Sequence, residues 1–418
     1  MDPGRSSTAG GPEGWTNWGG NQVASPQRLV RPRDEAELIA AVRGALAAGE
    51  EVRVAGSGHS FTPLVPTTGV LIDPREVTGV TAIDTATRRV RIKAATPIAP
   101  LGEPLWEGGL ALVNQGDIDT QTIAGAISTA THGSGARLGT LSAAVRWVRL
   151  LDGNGEVVEI GEEDPRRLRA VQVSLGALGV LLEVELEVVP TYYLQERISC
   201  PRWEETVADW ERDIEGNRHY SFLWCPADDS TAGFGLAPPM PMSDRSYTKR
   251  YREVEVDETA GEISREKGAR RDRAYRVYVS GGTIPPFHEL EYFVPREHGL
   301  EAVAAVRELM RTRHPEQRYP IEVRWVRGDD AHLSPAHRRD STVVSVCGAP
   351  GSDYLGFFRD VDAVLAAYAG RPHWGKLHFL DREWVAALYP ELDTFLAVRR
   401  ELDPRGLFLN DHLRRLLG

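Results

Sequence analysis

The chain is poor in cysteine, with Cys200, Cys225 and Cys347 the only three in 418 residues. They are too few and too far apart for a disulfide framework or a zinc ribbon, and a reducing compartment fits them. Long apolar runs are missing as well. No stretch reaches the roughly 18 to 20 consecutive apolar residues of a membrane helix, and the opening MDPGRSSTAGGPEG has no apolar core of a secretory signal. A cytoplasmic protein without membrane contact is expected. A cationic excess is also lacking: the formal net charge is −11, with lysines and arginines interspersed among acids, so no nucleic-acid footprint is expected. Neither a G-x-S-x-G elbow nor an HxH or HxxxH pair occurs, and His132, His373 and His378 have no Cys/His cluster around them. Serine hydrolases and metal hydrolases are thereby excluded, and no metal is expected.

What is present is ordinary globular material, 41% hydrophobic and 26% charged, long enough for two or three cores. Residues 1 to 14 are too rich in Gly, Ser and Pro to bury a core and are expected to be disordered. EAELIAAVRGALAAG (35–49) has helical spacing and ends in glycine, and EVRVAGSG reads as a strand running into a glycine loop. VLIDP (70–74) and TGVTAIDTATRRVRIKAA (78–95) read as further strands. WVRLLDGNGEVVEI (147–160) reads as a hairpin on its Asp-Gly-Asn-Gly turn. SLGALGVLLEVELEVVP (174–190) is a glycine turn before an alternating strand that Pro190 stops. Beyond it the pattern changes to longer strands and amphipathic helices, among them ELEYFVPR (289–296) and HGLEAVAAVRELMRTR (298–313), which marks a second domain. Residues 240–275 are charge-dense with little apolar periodicity and are expected to be a mobile surface excursion.

Ala55, Gly56, Ser57, Gly58, His59 and Ser60 follow a strand, where glycines let backbone amides approach a pyrophosphate and form an anion nest. A dinucleotide fingerprint would need a third glycine and an immediate helix. Phe61, Pro63 and Pro66 follow instead, which argues against a nicotinamide site. His59 has two readings, an imidazole satisfied within the turn or a nucleophile held beside a flavin methyl group. The segment NQGDIDTQTIAGAISTATHGSGARLGT (114–140) contains a small-residue helical stretch. Its hydroxyls at Thr122, Ser128, Thr129 and Thr131 can satisfy phosphate or ribityl oxygens, and a tightly packed helix pair explains it equally well.

RVAGSGHSF, NQG…TIAGAISTATHGSG, SLGALGV, EVR at 322–324 and RPHWGK at 371–376 occur together in this order. With these motifs the chain resembles the vanillyl-alcohol-oxidase type of FAD enzymes, and within them the aldonolactone oxidases (gulonolactone and arabinonolactone oxidases) and the alditol oxidases. The resemblance implies an α+β, two-domain FAD-binding fold of the PCMH type with an antiparallel-sheet substrate cap. Residues 15–190 would form the FAD domain, 191–376 the cap, and 377–418 a C-terminal segment returning to the FAD domain. It implies that FAD is held covalently through His59 and that residues Ala55 to Ser60 wrap the pyrophosphate. Gly116, Thr122, Gly125, Thr129, Ala130, Thr131, His132 and His373 would line the cofactor, and Val180 would contact the nucleotide. Glu322, Arg324 and Lys376 would face the substrate. Asp117 stands where alditol oxidases have a substrate-contacting serine, and Ser345 and Cys347 replace a histidine and a threonine, so the lactone oxidases are the nearer pattern.

Oxidation of a CH–OH group removes a proton from oxygen and a hydride from carbon, so the site needs a proton acceptor and fixed charge. Glu322 and Arg324 lie two apart on a predicted strand and share a face, where an arginine would keep the glutamate ionised and basic; a solvated ion pair is the bland alternative. The Lys376 ammonium could stabilise negative charge on the reduced flavin or on the substrate oxygen. The expected reaction is oxidation of an aldono-1,4-lactone with dioxygen as acceptor. The alternatives are an alditol or secondary-metabolite sugar oxidase, a non-catalytic flavin-binding protein, or a nicotinamide-dependent dehydrogenase. Gly116 has no side chain to crowd the flavin face where dioxygen must approach, although the turn N-Q-G-D would favour glycine as well.

Overall fold

The computed structural model describes residues 14–279 and 284–418; the segment expected to be disordered lies, up to residue 13, outside them. Helix Glu35–Ala47 starts where the Asp34 side chain accepts from the Glu37 amide at 2.9 Å, satisfying one of the unpaired donors of its first turn. The strand after it, Val52–Val54, pairs in parallel with Val70–Ile72, which pairs in parallel with Arg28–Val30. A six-stranded antiparallel sheet follows in the order Val157–Gly161, Val145–Leu151, Val180–Pro190, Arg89–Lys93 and Val80–Asp84, with Leu110–Leu112 also on Val180–Pro190. The C-terminal helices Arg382–Leu388, Leu392–Leu402 and Asp411–Leu417 send Val385, Phe395, Leu402 and Leu413 into the core of this sheet.

The second body is an eight-stranded sheet, antiparallel throughout. Its order is Arg271–Arg273, Tyr193–Ser199, Arg245–Val254, His219–Cys225, Ile321–Val326, Ser341–Gly348, His288–Pro295 and Arg371–Pro372. Period-two alternation gives it unlike faces. Phe222, Trp224, Leu290, Tyr292, Val323, Trp325 and Val344 form a core with helices Gly299–Arg313 and Leu355–Ala366, which contribute Val303, Val306, Phe358 and Val361. Each such side chain contributes about 1.5–3 kcal/mol by leaving water. The intervening positions Lys249, Glu289, Glu291, Glu322 and Arg324 line a cavity on the opposite side.

The charge-dense stretch 240–275 is a surface excursion only in part: residues 255–270 are largely exposed, whereas the residues before them are not. Its residues Arg245–Val254 form an interior strand, paired on one side with Tyr193–Ser199 and on the other with His219–Cys225. The strand escaped the apolar pattern because its charges are neutralised instead of solvated: Arg250 pairs with Asp213 and Lys249 with Asp117. Among the described residues no helix is long and apolar enough to cross a membrane.

Candidate active site

A cleft of about 750 Å³ runs along the loop that follows strand Val52–Val54 and is lined by Ala55, Gly56, Ser57, Gly58, His59 and Ser60. Across it stand Thr122, Gly125 and Thr129 from helix Ile123–Ser128 and its ends, together with Gly176, Gly179 and Val180. Gly56 is pressed against this helix, and a Cβ there would lie 2.8 Å from Thr122 Oγ1. Gly179 has φ +143°, and a Cβ would lie 2.5 Å from the Leu151 carbonyl, so only glycine fits. Beneath the cleft is the buried Arg53, whose guanidinium donates to the carbonyls of Leu64, Leu175, Gly176 and Phe408 and ties the loop to three distant segments. Burial lowers it to about 10, and no carboxylate is hydrogen-bonded to it among the described residues.

The small-residue helix is shorter than the stretch that suggested it. It ends at Ser128, because Ala130 takes the left-handed conformation at φ +61°, a strained choice for a residue with a Cβ. Ala130 is fully buried and does not line either cavity. Its role is to turn the chain, so that Thr131 and His132 enter a second cavity of about 350 Å³. The two cavities share Trp18, His59, Ser60, Ile118, Gln121, Thr129 and Ile284, so His59 is one of the residues at their junction. One nitrogen of that ring, Nε2, lies 2.9 Å from Thr120 Oγ1. Burial first, and the Lys376 charge second, lower His59 to about 4, so it is neutral at physiological pH.

The floor of the second cavity is a network of paired charges. Arg324 binds Glu291 tightly and stands 3.6 Å from Glu322. Lys376 donates to Glu289, whose other oxygen accepts from Ser345. The Lys376 ammonium is raised: burial would lower it, but Glu289 and Glu291 outweigh that. At Glu322 the balance goes the other way. Burial pushes its carboxyl above the usual range despite Arg324 and Lys249, so the arginine does not dominate this glutamate as the strand pattern implied. It is engaged by Glu291 instead. Burial would raise Glu291 too, but Arg324 and His132 hold it well below the usual carboxylate range.

His132, Glu291 and His373 come within 4.8 Å of one another, a grouping that invites a metal reading. The hydrogen bonds oppose it. His132 Nδ1 faces the Gly133 carbonyl at 2.7 Å and must donate to it, and its Nε2 faces Glu291 Oε1 at 3.2 Å. His373 Nδ1 accepts from the Gly375 amide at 3.0 Å, and Arg324 occupies the second oxygen of Glu291. A cation here would have to displace the proton that this leaves on Nε2 of the neutral His373 ring and the Arg324 guanidinium.

Of the residues read from sequence, Gly116, Asp117, Thr131, His132, Glu322, Arg324, His373 and Lys376 all line the second cavity, although they come from distant segments. Gly116 has an ordinary φ, and an added Cβ would make only van der Waals contacts of 3.4 Å, so the turn itself does not demand glycine. Besides Ala130, two expectations change. Ser345 and Cys347 do not line the cavity; Ser345 is buried on Glu289, and Cys347 packs with Phe61 and Phe287. They support the wall and do not face a substrate. Lys249, Glu289 and Glu291 line the cavity and were not anticipated. The signal was there for the last two, as E-L-E-Y alternates charge with apolar side chains.

These residues suit a flavin dinucleotide. The first cavity offers a glycine-lined cradle of nucleotide dimensions, and two residues of the second have buried polar atoms, Thr131 Oγ1 and Arg324 Nε, without a hydrogen-bond partner among the described residues. Comparison with known proteins agrees. Residues 26–161 match the FAD binding domain model and residues 244–416 the D-arabinono-1,4-lactone oxidase model. L-gulono-1,4-lactone dehydrogenase of Mycobacterium tuberculosis is 37% identical, with 97% of this chain and 99% of the relative aligned. The alditol oxidase of a Streptomyces species is 31% identical over 96% and 98%, and L-gulonolactone oxidase of Bos taurus 28% over 96% and 97%. Among solved structures, cholesterol oxidase from Brevibacterium sterolicum superposes with a TM-score of 0.82 at 15% identity, covering 97% and 96% of the two chains, which is a likeness of fold.

Proposed function

The chain belongs to the family of FAD-dependent sugar-1,4-lactone oxidoreductases, and from that premise we propose that it oxidises a CH–OH group of an aldono-1,4-lactone with FAD held covalently through His59. The observation that carries this reading is the meeting of the dinucleotide cleft with a charge-lined cavity at His59. FAD supplies the hydride acceptor, and the chain supplies the rest. Glu322, with its raised carboxyl, takes the hydroxyl proton, and the Arg324 and Lys376 cations stabilise negative charge that develops on the substrate oxygen. His59 is supported as the attachment point because it is neutral and, with Thr120 on Nε2, keeps Nδ1 clear of any protein hydrogen bond among the described residues. We further take residues 15–190 with 377–418 as the cofactor-binding unit and 191–376 as the cap. A cytoplasmic location accords with three free thiols.

Dioxygen is the proposed electron acceptor. Support comes from Gly116, which lines the second cavity without a side chain although its backbone and neighbours would tolerate one. The test is spectroscopic. Acid-precipitated protein should retain the flavin bands, and His59→Ala should release its flavin on denaturation. Anaerobic addition of an aldonolactone should bleach the flavin, and oxygenated buffer should restore it with one hydrogen peroxide per flavin. Flavin that separates fully from the wild-type chain defeats the covalent link; reduced flavin that waits for a quinone or cytochrome makes the enzyme a dehydrogenase.

A further inference from the structure

The second cavity contains an ion pair that the proposed chemistry does not use. Lys249, on the interior strand Arg245–Val254, donates to Asp117 Oδ2 at 2.7 Å, and the two side chains are only 12% and 20% exposed. Both line the cavity. Lys249 is opposite Ser221 and Glu322 is opposite Leu223 on the shared neighbouring strand, so the lysine lies on the same sheet face as Glu322, two strands away. Among the described residues, the Lys249 ammonium is the only hydrogen-bond partner of the Asp117 carboxylate, and that carboxylate the only one of the ammonium. One carboxylate oxygen and two ammonium hydrogens are therefore uncommitted. Both groups stay charged: burial would raise Asp117 and lower Lys249, and in each case the partner overturns this. An ion pair buried to this degree, with bonding capacity left over at the cavity, is costly unless further partners satisfy it.

We propose that Asp117 and Lys249 form a hydroxyl-recognition subsite, in which Asp117 Oδ1 accepts from one substrate hydroxyl and Lys249 donates to the oxygen of its neighbour. The inference rests on the aldonolactone reading and sharpens it. The enzyme selects lactones that carry a vicinal pair of oxygens beyond the reacting carbon, because a substrate without them leaves the spare carboxylate oxygen and ammonium hydrogens of the pair unsatisfied. Lys249 and Asp117 act on binding, while Glu322, Arg324 and Lys376 act on the chemistry.

The test is anaerobic reduction of the holoenzyme by L-gulono-1,4-lactone and by α-hydroxy-γ-butyrolactone, which keeps the ring and the reacting hydroxyl but no other. Asp117→Asn and Lys249→Met should each raise the half-saturating concentration of the gulonolactone roughly 10- to 100-fold, with the limiting rate within a few-fold of wild type. Reduction by the butyrolactone should not change, and the double variant should lose little more than the worse single one. Flavin content identifies a misfolded variant, and the isosteric Asp117→Asn keeps the test open if Lys249→Met fails to fold. Equal losses on both lactones, or no loss, overturn the proposal. If only xylitol reduces the wild type, the lactone reading falls while the pair is scored by xylitol against 1,2-propanediol. If none of these compounds does so, both fall.

Discussion

The nucleotide cleft and the floor of the cavity beyond it are made of opposite materials. The cleft is built around loop backbone, with glycines at 56, 58, 176 and 179, short hydroxyl side chains and the buried Arg53 tying carbonyls together, although Trp15, Arg31, Asp73 and Arg75 also line it. The floor is side chain: Lys249, Glu289, Glu291, Glu322 and Arg324 at alternate positions of three strands, with Lys376 and Asp117 closing over them. A cleft of amides can hold a phosphate by geometry alone, whereas a floor of paired charges offers the field and proton acceptor that an oxidation needs. The difference teaches that binding and chemistry are separable here, and substitutions should separate them.

The largest effect is expected on the floor. Lys376→Ala or Arg324→Ala should slow anaerobic flavin reduction about 100- to 1,000-fold, as for removal of one fixed charge from a reacting centre, with FAD still bound. Rates within a few-fold of wild type would show that these cations are structural. The cleft should respond in the other currency. Arg53→Met leaves the Leu175, Gly176 and Phe408 carbonyls without this donor and, taking each unsatisfied buried carbonyl at about 1–3 kcal/mol, should cost at least about 3 kcal/mol of unfolding free energy, measured by urea titration. It should reduce FAD content while the limiting reduction rate of the loaded fraction holds.

A smaller effect lies where the two regions meet. Gly116→Val should slow reoxidation by dioxygen roughly tenfold, about 1.4 kcal/mol of barrier, and leave reduction nearly unchanged in stopped-flow mixing. The smallest is a matter of pH. Because burial raises the Glu322 carboxyl, the rate of reduction should fall as pH drops through a midpoint above the ordinary glutamate value, where the base becomes protonated. Glu322→Gln should flatten that acid limb, and a limb that survives the substitution belongs to another group.

How legible each region was follows from how its residues are spaced. The cleft could be read because its parts are consecutive: Gly56 to Ser60 are one turn, and Thr122 to Thr129 are one helix with its ends. Glu322, Arg324 and Lys376 could be placed only through the family resemblance, since a charged pair on a strand reads equally as solvent-facing. Lys249 could not be read at all. Its strand carries polar residues on both faces, so the alternation that marks a half-buried strand is missing, and the acid that neutralises it is 132 positions away.

By itself the sequence determined the local choices: the capped helix at Glu35, the strand and glycine loop after it, the hairpin on Asp-Gly-Asn-Gly, and a cofactor cradle that only small residues permit. Propensity, capping and steric exclusion act within a few residues, so a linear pattern is enough. The tertiary structure alone decided which charges meet. Arg324 is hydrogen-bonded to Glu291 and only in looser ion-pair contact with Glu322, Ser345 supports Glu289 from outside the cavity, and Lys249 is drawn to Asp117. Those choices depend on cross-strand register and on the cost of burying an unpaired charge, and both exist only once the sheet has formed.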